Sequence, residues 1–166
     1  MTTPGSPPPT PIDWRNLIQA GRELLISQPS GNAPTDEHAR RAVSNAYYAL
    51  FHALADSNAS TLAGSSGDPG IANAWSRVYR GLDHSTALRE LQRHRQEFSV
   101  QARDFADTFR DVQRLRHLAD YDHNAAISIN QARLVLDQAE ASIIDYLQVA
   151  SSEKLYIATL TLIRPR

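Results

Sequence analysis

FSVQARDFADTFRDVQRLRHLADYDH, residues 98–123, begins as an ordinary amphipathic helix and ends in a concentration of charge. Phe98, Ala102, Phe105, Phe109 and Val112 recur at steps of three and four, which traces one helical face toward a core. Arg116, Asp120 and His123 continue that face. At about 100° per residue, Asp120 lies roughly 40° from Arg116, and His123 about 20° to the other side, provided the helix persists that far. An apolar stripe that turns into charge predicts paired or hydrogen-bonded groups, and paired groups lining a cleft are candidates for chemistry. Arg116-His117-Leu118-Ala119-Asp120-Tyr121-Asp122-His123 is therefore the candidate site, and the remaining chain reads as its scaffold.

The 166 residues are enough for one domain with a proper core. Composition is that of a soluble globular protein, 42% hydrophobic and 21% charged, and a formal charge of -1 excludes a large uniform basic field while leaving room for a local patch. No cysteine occurs, which excludes disulfides and thiolate metal sites and fits a reducing cytoplasm. The longest apolar runs, around Tyr47 to Ala55 and Leu155 to Ile163, fall far short of the roughly 20 residues that cross a bilayer, so no membrane span is expected. Residues 1–11, MTTPGSPPPTP, lack the basic start and apolar centre of a signal peptide and read as a disordered proline-rich tail. Residues 12–150 read as the helical bundle, and 151–166 as an apolar extension packed on it.

Asp13 is the expected N-cap of a first helix with Trp14, Leu17, Ile18, Leu24 and Leu25 on one face, Gly21 its weak point, and an end near Pro29. After the loop QPSGNAP (28–34), Thr35 caps a long alanine-rich helix whose first turn carries Asp36 and Glu37. Its core stripe is Ala39, Val43, Ala46, Tyr47, Leu50, Phe51 and Leu54; Arg41, Asn45, Tyr48 and His52 form a second stripe. NASTLAGSSGDPG (58–70) reads as a loop. A short helix over 72–80 puts Trp75, Val78 and Tyr79 inward, and a further piece runs through Ala87, Leu88 and Leu91 into Arg93-His94-Arg95. Ser99 caps the helix that bears Arg116, and Ser128 caps a last long one with Ile129, Ala132, Leu136, Ala139, Ile143, Ile144 and Leu147 at helical spacing. In the tail, Leu155 to Ile163 alternate like a strand, while Ser151 or Ser152 caps a short helix in the alternative reading, which is preferred. The expectation is an all-α, four- to five-helix bundle.

Three chemical readings of the candidate site compete. Arg116 and His123 lie two turns, or about 10.5 Å, apart on one face. In a cleft, the histidine takes the proton of a ribose 2'-hydroxyl or gives one to the leaving 5'-oxygen, while the arginine holds the phosphate and its growing charge. The plainer reading is a surface ion pair of Arg116 with Asp120 at i and i+4, with His123 in the following turn. The third is a metal held by His117, Asp120 and His123 with Asp122 adjacent, although His117 lies about 100° round from Arg116, which spoils the geometry. The stripe with Tyr48 and His52 can take a phosphate or a base, or be a solvated face. Arg93-His94-Arg95, with Arg77, Arg80 and Arg89, is a candidate basic surface for nucleic acid. His38 and His84 receive no role.

RRAVSNAYYALFH (40–52), followed by RHLADYDH (116–123), resembles the HEPN (higher eukaryotes and prokaryotes nucleotide-binding) superfamily, and in particular small bacterial HEPN proteins with a Tyr-Tyr-x-x-Phe-His helix and an Arg-x-x-Ala-Asp-Tyr motif. The resemblance covers most of residues 12–150. It implies an up-and-down helical bundle, usually dimeric, and for many members a metal-independent ribonuclease whose signature is an arginine, four to six residues, and a histidine. Arg116, His117 and His123 match with six residues between. By the same resemblance, two copies of the motif meet across a dimer interface, and the product ends in a 2',3'-cyclic phosphate. No metal or cofactor is implied. RNA is the expected substrate, and a nucleotidyltransferase-like antitoxin is a possible partner. Ala125 stands where some toxins carry a modifiable tyrosine, so that mode of regulation does not transfer. Arg116 and His123 are the expected catalytic pair, with Asp120 orienting one of the site's cations, Tyr48 and His52 flanking the cleft, and His117 and Tyr121 in support. The alternative implied is a non-catalytic HEPN module that binds a nucleotide or a partner protein, in which Arg116, Asp120 and Tyr121 mainly hold the bundle together.

Overall fold

Alanine at so many positions of residues 39–59 lets one helix be approached from nearly all sides, and that helix is the centre of the molecule. The computed structural model describes residues 11–26, 31–65 and 70–163. Its elements are α1 (Trp14–Leu24), α2 (Asp36–Ala63), α3 (Ala72–Gly81), α4 (His84–Arg93), a short 3-10 turn (Arg95–Glu97), α5 (Val100–Tyr121), α6 (Ile129–Leu147) and α7 (Ser151–Leu162). The class is all-α, with seven α-helices and no strand among the described residues, rather than the four or five helices expected. The surplus comes from α3, α4 and α7, short helices that pack beside the long ones.

The buried side of α2 packs against α1, α3, α5, α6 and α7. All seven residues of its expected core stripe are buried, joined by Ala42, Ala49 and Ala53. Opposite them lie Phe105 and Phe109 of α5, and Leu136 and Ile143 of α6. Phe105 stacks on Tyr146 with ring centres 4.3 Å apart, placing the start of α5 beside the end of α6. Arg40, near the start of α2, reaches the carbonyls of Ala119 and Asp122 at the end of α5. So α5 runs antiparallel to both α2 and α6. Gly21, weak as a helix former, earns its place by contact, since a Cβ there would lie 2.7 Å from a methyl of fully buried Leu136.

The caps follow the sequence closely. Asp13 accepts from the Arg15 amide at 2.9 Å, Ser99 from Ala102 at 3.4 Å, and Ser128 from Gln131 at 3.1 Å. His38, given no role above, completes a capping box, accepting at Nδ1 from the Thr35 amide at 3.0 Å.

Other expectations need correction. The helix α1 stops at Leu24, well short of Pro29, which lies outside the described residues, as do most of the proline-rich tail and residues 27, 28, 30 and 66–69. The expected loop at 58–70 is helix as far as Ala63: Asn58 is buried and donates to Thr161 Oγ1 of α7 at 2.9 Å, and Ala59 is fully buried, so tertiary packing overrides a weak helical propensity. The tail is helix, as the preferred reading has it, but its N-cap is Ala150 rather than Ser151 or Ser152; Ile157, Ala158 and Thr161 face the bundle. Ile144, placed on the core stripe of α6, is exposed. None of the helices among the described residues is long and apolar enough to cross a membrane.

Candidate functional site

The site begins with the antiparallel approach of α2 and α5, which brings Ser44, Tyr47 and Tyr48 alongside Arg116 and Asp120. Arg116 Nε lies 2.6 Å from Asp120 Oδ2, with side chains 19% and 23% exposed, a close ion pair rather than a directed hydrogen bond. Arg116 Nη2 donates to the Tyr48 hydroxyl at 3.4 Å. Three rings surround the guanidinium, whose carbon lies 5.7 Å from the centre of Tyr47, 5.6 Å from Tyr48 and 6.0 Å from the exposed Tyr121. Asp120 uses its other oxygen to accept from buried Ser44 Oγ at 2.9 Å. The i, i+4 pair expected from the sequence is therefore real, but it is held by α2 instead of lying free on a surface.

His123 is placed differently from the expectation. The helix α5 ends at Tyr121, with the Asp122 amide donating to the Leu118 carbonyl, so His123 lies in the turn beyond and does not continue the Arg116 face. It is exposed and makes no hydrogen bond or ion pair among the described residues. His117 is exposed as well, its ring 5.8 Å from that of Tyr121. The turn itself is firmly held. Arg40 donates to the carbonyls of Ala119 at 2.8 Å, of Asp122 at 3.0 Å, and of Ala125, while Asp36 accepts from the Ile127 amide at 2.9 Å. Orphan carbonyls at a helix end need such partners, and a single arginine supplies three of them.

Beside the ion pair runs an open, mainly polar groove of about 420 Å³, lined by Glu37, Arg40, Arg41, Ala119, Asp120 and Tyr121. Of the second α2 stripe, Arg41 reaches this groove, Tyr48 covers Arg116, and His52 turns to α3, where its Nδ1 pairs with the Tyr79 hydroxyl at 2.7 Å. One residue that sequence reasoning passed over belongs here. His84, the first residue of α4, pairs through Nδ1 with the Tyr47 hydroxyl at 2.6 Å and stacks on Phe51 with ring centres 3.8 Å apart. Its position in a helix start after Gly81 carried no periodic signal, because the contact is made across the fold.

Electrostatics in this cluster disfavour charge on the histidines. Loss of hydration pushes both His52 and His84 below the ordinary histidine value; the Arg116 charge adds to this at His84, partly opposed by Asp83, and His84 adds to it at His52. Burial drives the Tyr47 phenol well above its ordinary value, against the pull of Arg116, so it keeps its proton.

Part of the candidate basic surface is balanced by its own neighbours. Arg95 pairs with Asp107 at 2.5 Å, Arg89 with Glu90 at 2.9 Å, and His94 with Glu97 at 2.9 Å. Among the described residues no group of three His, Asp or Glu side chains is placed to hold a metal ion, so His117, Asp120 and His123 do not converge. No family model matches this chain, and neither does any curated protein or solved structure.

Proposed function

We propose that this protein is a metal-independent endoribonuclease of the HEPN toxin or defence kind, acting in the cytoplasm as a homodimer. The observation that carries the reading is an arginine fixed by Asp120 and Tyr48 at the edge of a polar groove, with the accessible imidazole of His123 a few residues further along. A guanidinium so restrained is pre-oriented for a phosphodiester, and an unencumbered imidazole is available for proton transfer. In the reaction, the ribose 2'-oxygen loses its proton and attacks phosphorus, the bond to the 5'-oxygen breaks, and that oxygen takes up a proton. The products are a 2',3'-cyclic phosphate and a 5'-hydroxyl. His117, Tyr121 and Arg41 line the approach, and a second copy brings its own Arg116 and His123 to the same cleft. DNA, without the 2'-hydroxyl, is inert.

A second reading has an observation of its own. Asp120 already neutralises Arg116, and His123 lies beyond the helix in solvent, which suits a module that binds a nucleotide or a protein partner, such as a nucleotidyltransferase-like antitoxin, without cleaving anything. The deciding experiment is incubation of total RNA with purified protein in EDTA, beside Arg116→Ala and His123→Ala, with the product ends mapped. Cyclic-phosphate ends from wild type alone carry the ribonuclease reading. Inactivity of all three folded proteins moves the assignment to the binding module.

A further inference from the structure

The proton-transfer groups suggested by the linear motif leave one half of the reaction without a placed partner, since His123 is off the Arg116 helix face. The imidazole packed into the ring cluster around Arg116 is His84. Its ring centre lies 5.6 Å from the centre of Tyr47, and the Arg116 guanidinium carbon lies 5.7 Å from that same point, so the sum of these two distances bounds their separation. Tyr48 bridges them a second time, 6.3 Å from His84 edge-on and 5.6 Å from Arg116. An arginine that holds a phosphate and an imidazole that takes a proton can therefore reach one site from different helices.

We infer that His84 is the general base of the proposed cleavage, its Nδ1–H donated to the Tyr47 hydroxyl so that Nε2 faces the ribose 2'-hydroxyl of an RNA whose phosphate is held by Arg116. The assignment rests on the ribonuclease reading above and adds to it a residue outside the arginine–histidine motif. In the step, His84 Nε2 takes the 2'-hydroxyl proton as the 2'-oxygen bonds to phosphorus. The 5'-oxygen leaves with a proton from His123, so one imidazole gains the proton that the other gives up, and no oxidant or metal enters the balance. Stacking on Phe51 and the bond to Tyr47 fix the ring plane, while Nε2 has no partner among the described residues. The groups that face His84 are Asp83 on its own turn, Tyr47, Tyr48 and His52 from α2, and Arg116 from α5. Loss of hydration first, and the Arg116 charge second, hold the imidazole below its ordinary value against the opposing pull of Asp83, which favours the neutral form a base requires.

Single-turnover cleavage of RNA in EDTA across a pH series, by wild type, His84→Gln, Tyr47→Phe, His123→Ala and Arg116→Ala, tests this. His84→Gln is expected to lower kcat about 100-fold or more with little change in KM, and to remove the acidic limb of the pH profile. Tyr47→Phe, which leaves the imidazole but frees its ring, should lower kcat about tenfold and keep that limb. Circular dichroism melts establish that each variant is folded. If wild type cleaves and folded His84→Gln stays within threefold of it with the acidic limb intact, His84 is not the base, and the ribonuclease reading stands without it. If wild type itself leaves RNA uncut, both the ribonuclease reading and the base assignment fall.

Discussion

Asp120 carries two duties with one carboxylate, neutralising Arg116 and accepting from Ser44. Asp120→Ala removes both, but Ser44 Oγ retains a long bond to the Arg40 carbonyl at 3.3 Å, and Arg116 is partly solvated. The expected loss is therefore modest, about 1 kcal/mol, read from urea midpoints. Asp120→Asn should cost less, because an amide oxygen still accepts from Ser44. The two histidines under aromatic rings give the protein a pH dependence of definite sign. Their native values lie below the ordinary 6.5, so the unfolded chain takes up protons first as pH falls. Their contribution is complete above about pH 6.5 and is lost as pH drops through that value toward the native ones. Wild type should lose stability as pH falls below about 6.5, and the His52→Gln, His84→Gln double variant should show a flatter profile there. The salt-bridged carboxylates act lower: Asp107, held down by Arg95, and Asp36, held down by Arg40, contribute above their ordinary 3.8 and lose this only in acid. Arg116 and Asp120 were readable as a pair from i, i+4 spacing; Ser44 and His84 were not, because each reaches the site from another helix.

The end of α5 shows what one element owes to another. Helix propensity and periodicity extend the Arg116 face through His123, yet the helix stops at Tyr121 and the chain turns under the hand of Arg40. Arg40→Gln should destabilise the fold by about 2 kcal/mol, since three partly buried carbonyls lose their donor. Hydrogen exchange should locate the damage, with faster exchange of the amides of residues 119–127 than of the α6 core around Ile143. Arg40→Lys recovers only part, because an ammonium lacks the planar fork that meets several carbonyls at once. The opposite error occurred at the end of α2, where small and polar residues at 58–63 suggested a loop. Partners on α7, chiefly Thr161, hold those residues in helix. Local propensity is a weak guide at a helix end, and both misjudged boundaries are ones where a distant element decides.

For the whole molecule, the proposed cleft needs a second copy; the exposed Tyr121 ring lies 6.0 Å from the Arg116 guanidinium carbon, and exposed Leu118, three residues before Tyr121, shares its side of α5. The wild type is expected to sediment as a dimer, and Leu118→Glu with Tyr121→Glu as a folded monomer, since burying two carboxylates opposite their own copies is strongly unfavourable. Cleavage should fall together with dimerisation; a monomeric double variant with full activity would mean that one chain's residues suffice. By itself, the amino-acid sequence determined the helical class, the core stripes of α2 and α5, the caps at Asp13, Thr35, Ser99 and Ser128, and the pairing of Arg116 with Asp120. Each of these depends on residues within one or two helical turns of one another, so periodicity and short-range hydrogen bonding suffice to define them. Only the tertiary structure decided where α5 ends, that α2 continues past Asn58, that His123 leaves the arginine's face, and that His84 joins it. Those outcomes turn on contacts between residues far apart in the chain, whose free energy exceeds local preference and leaves no period in the sequence.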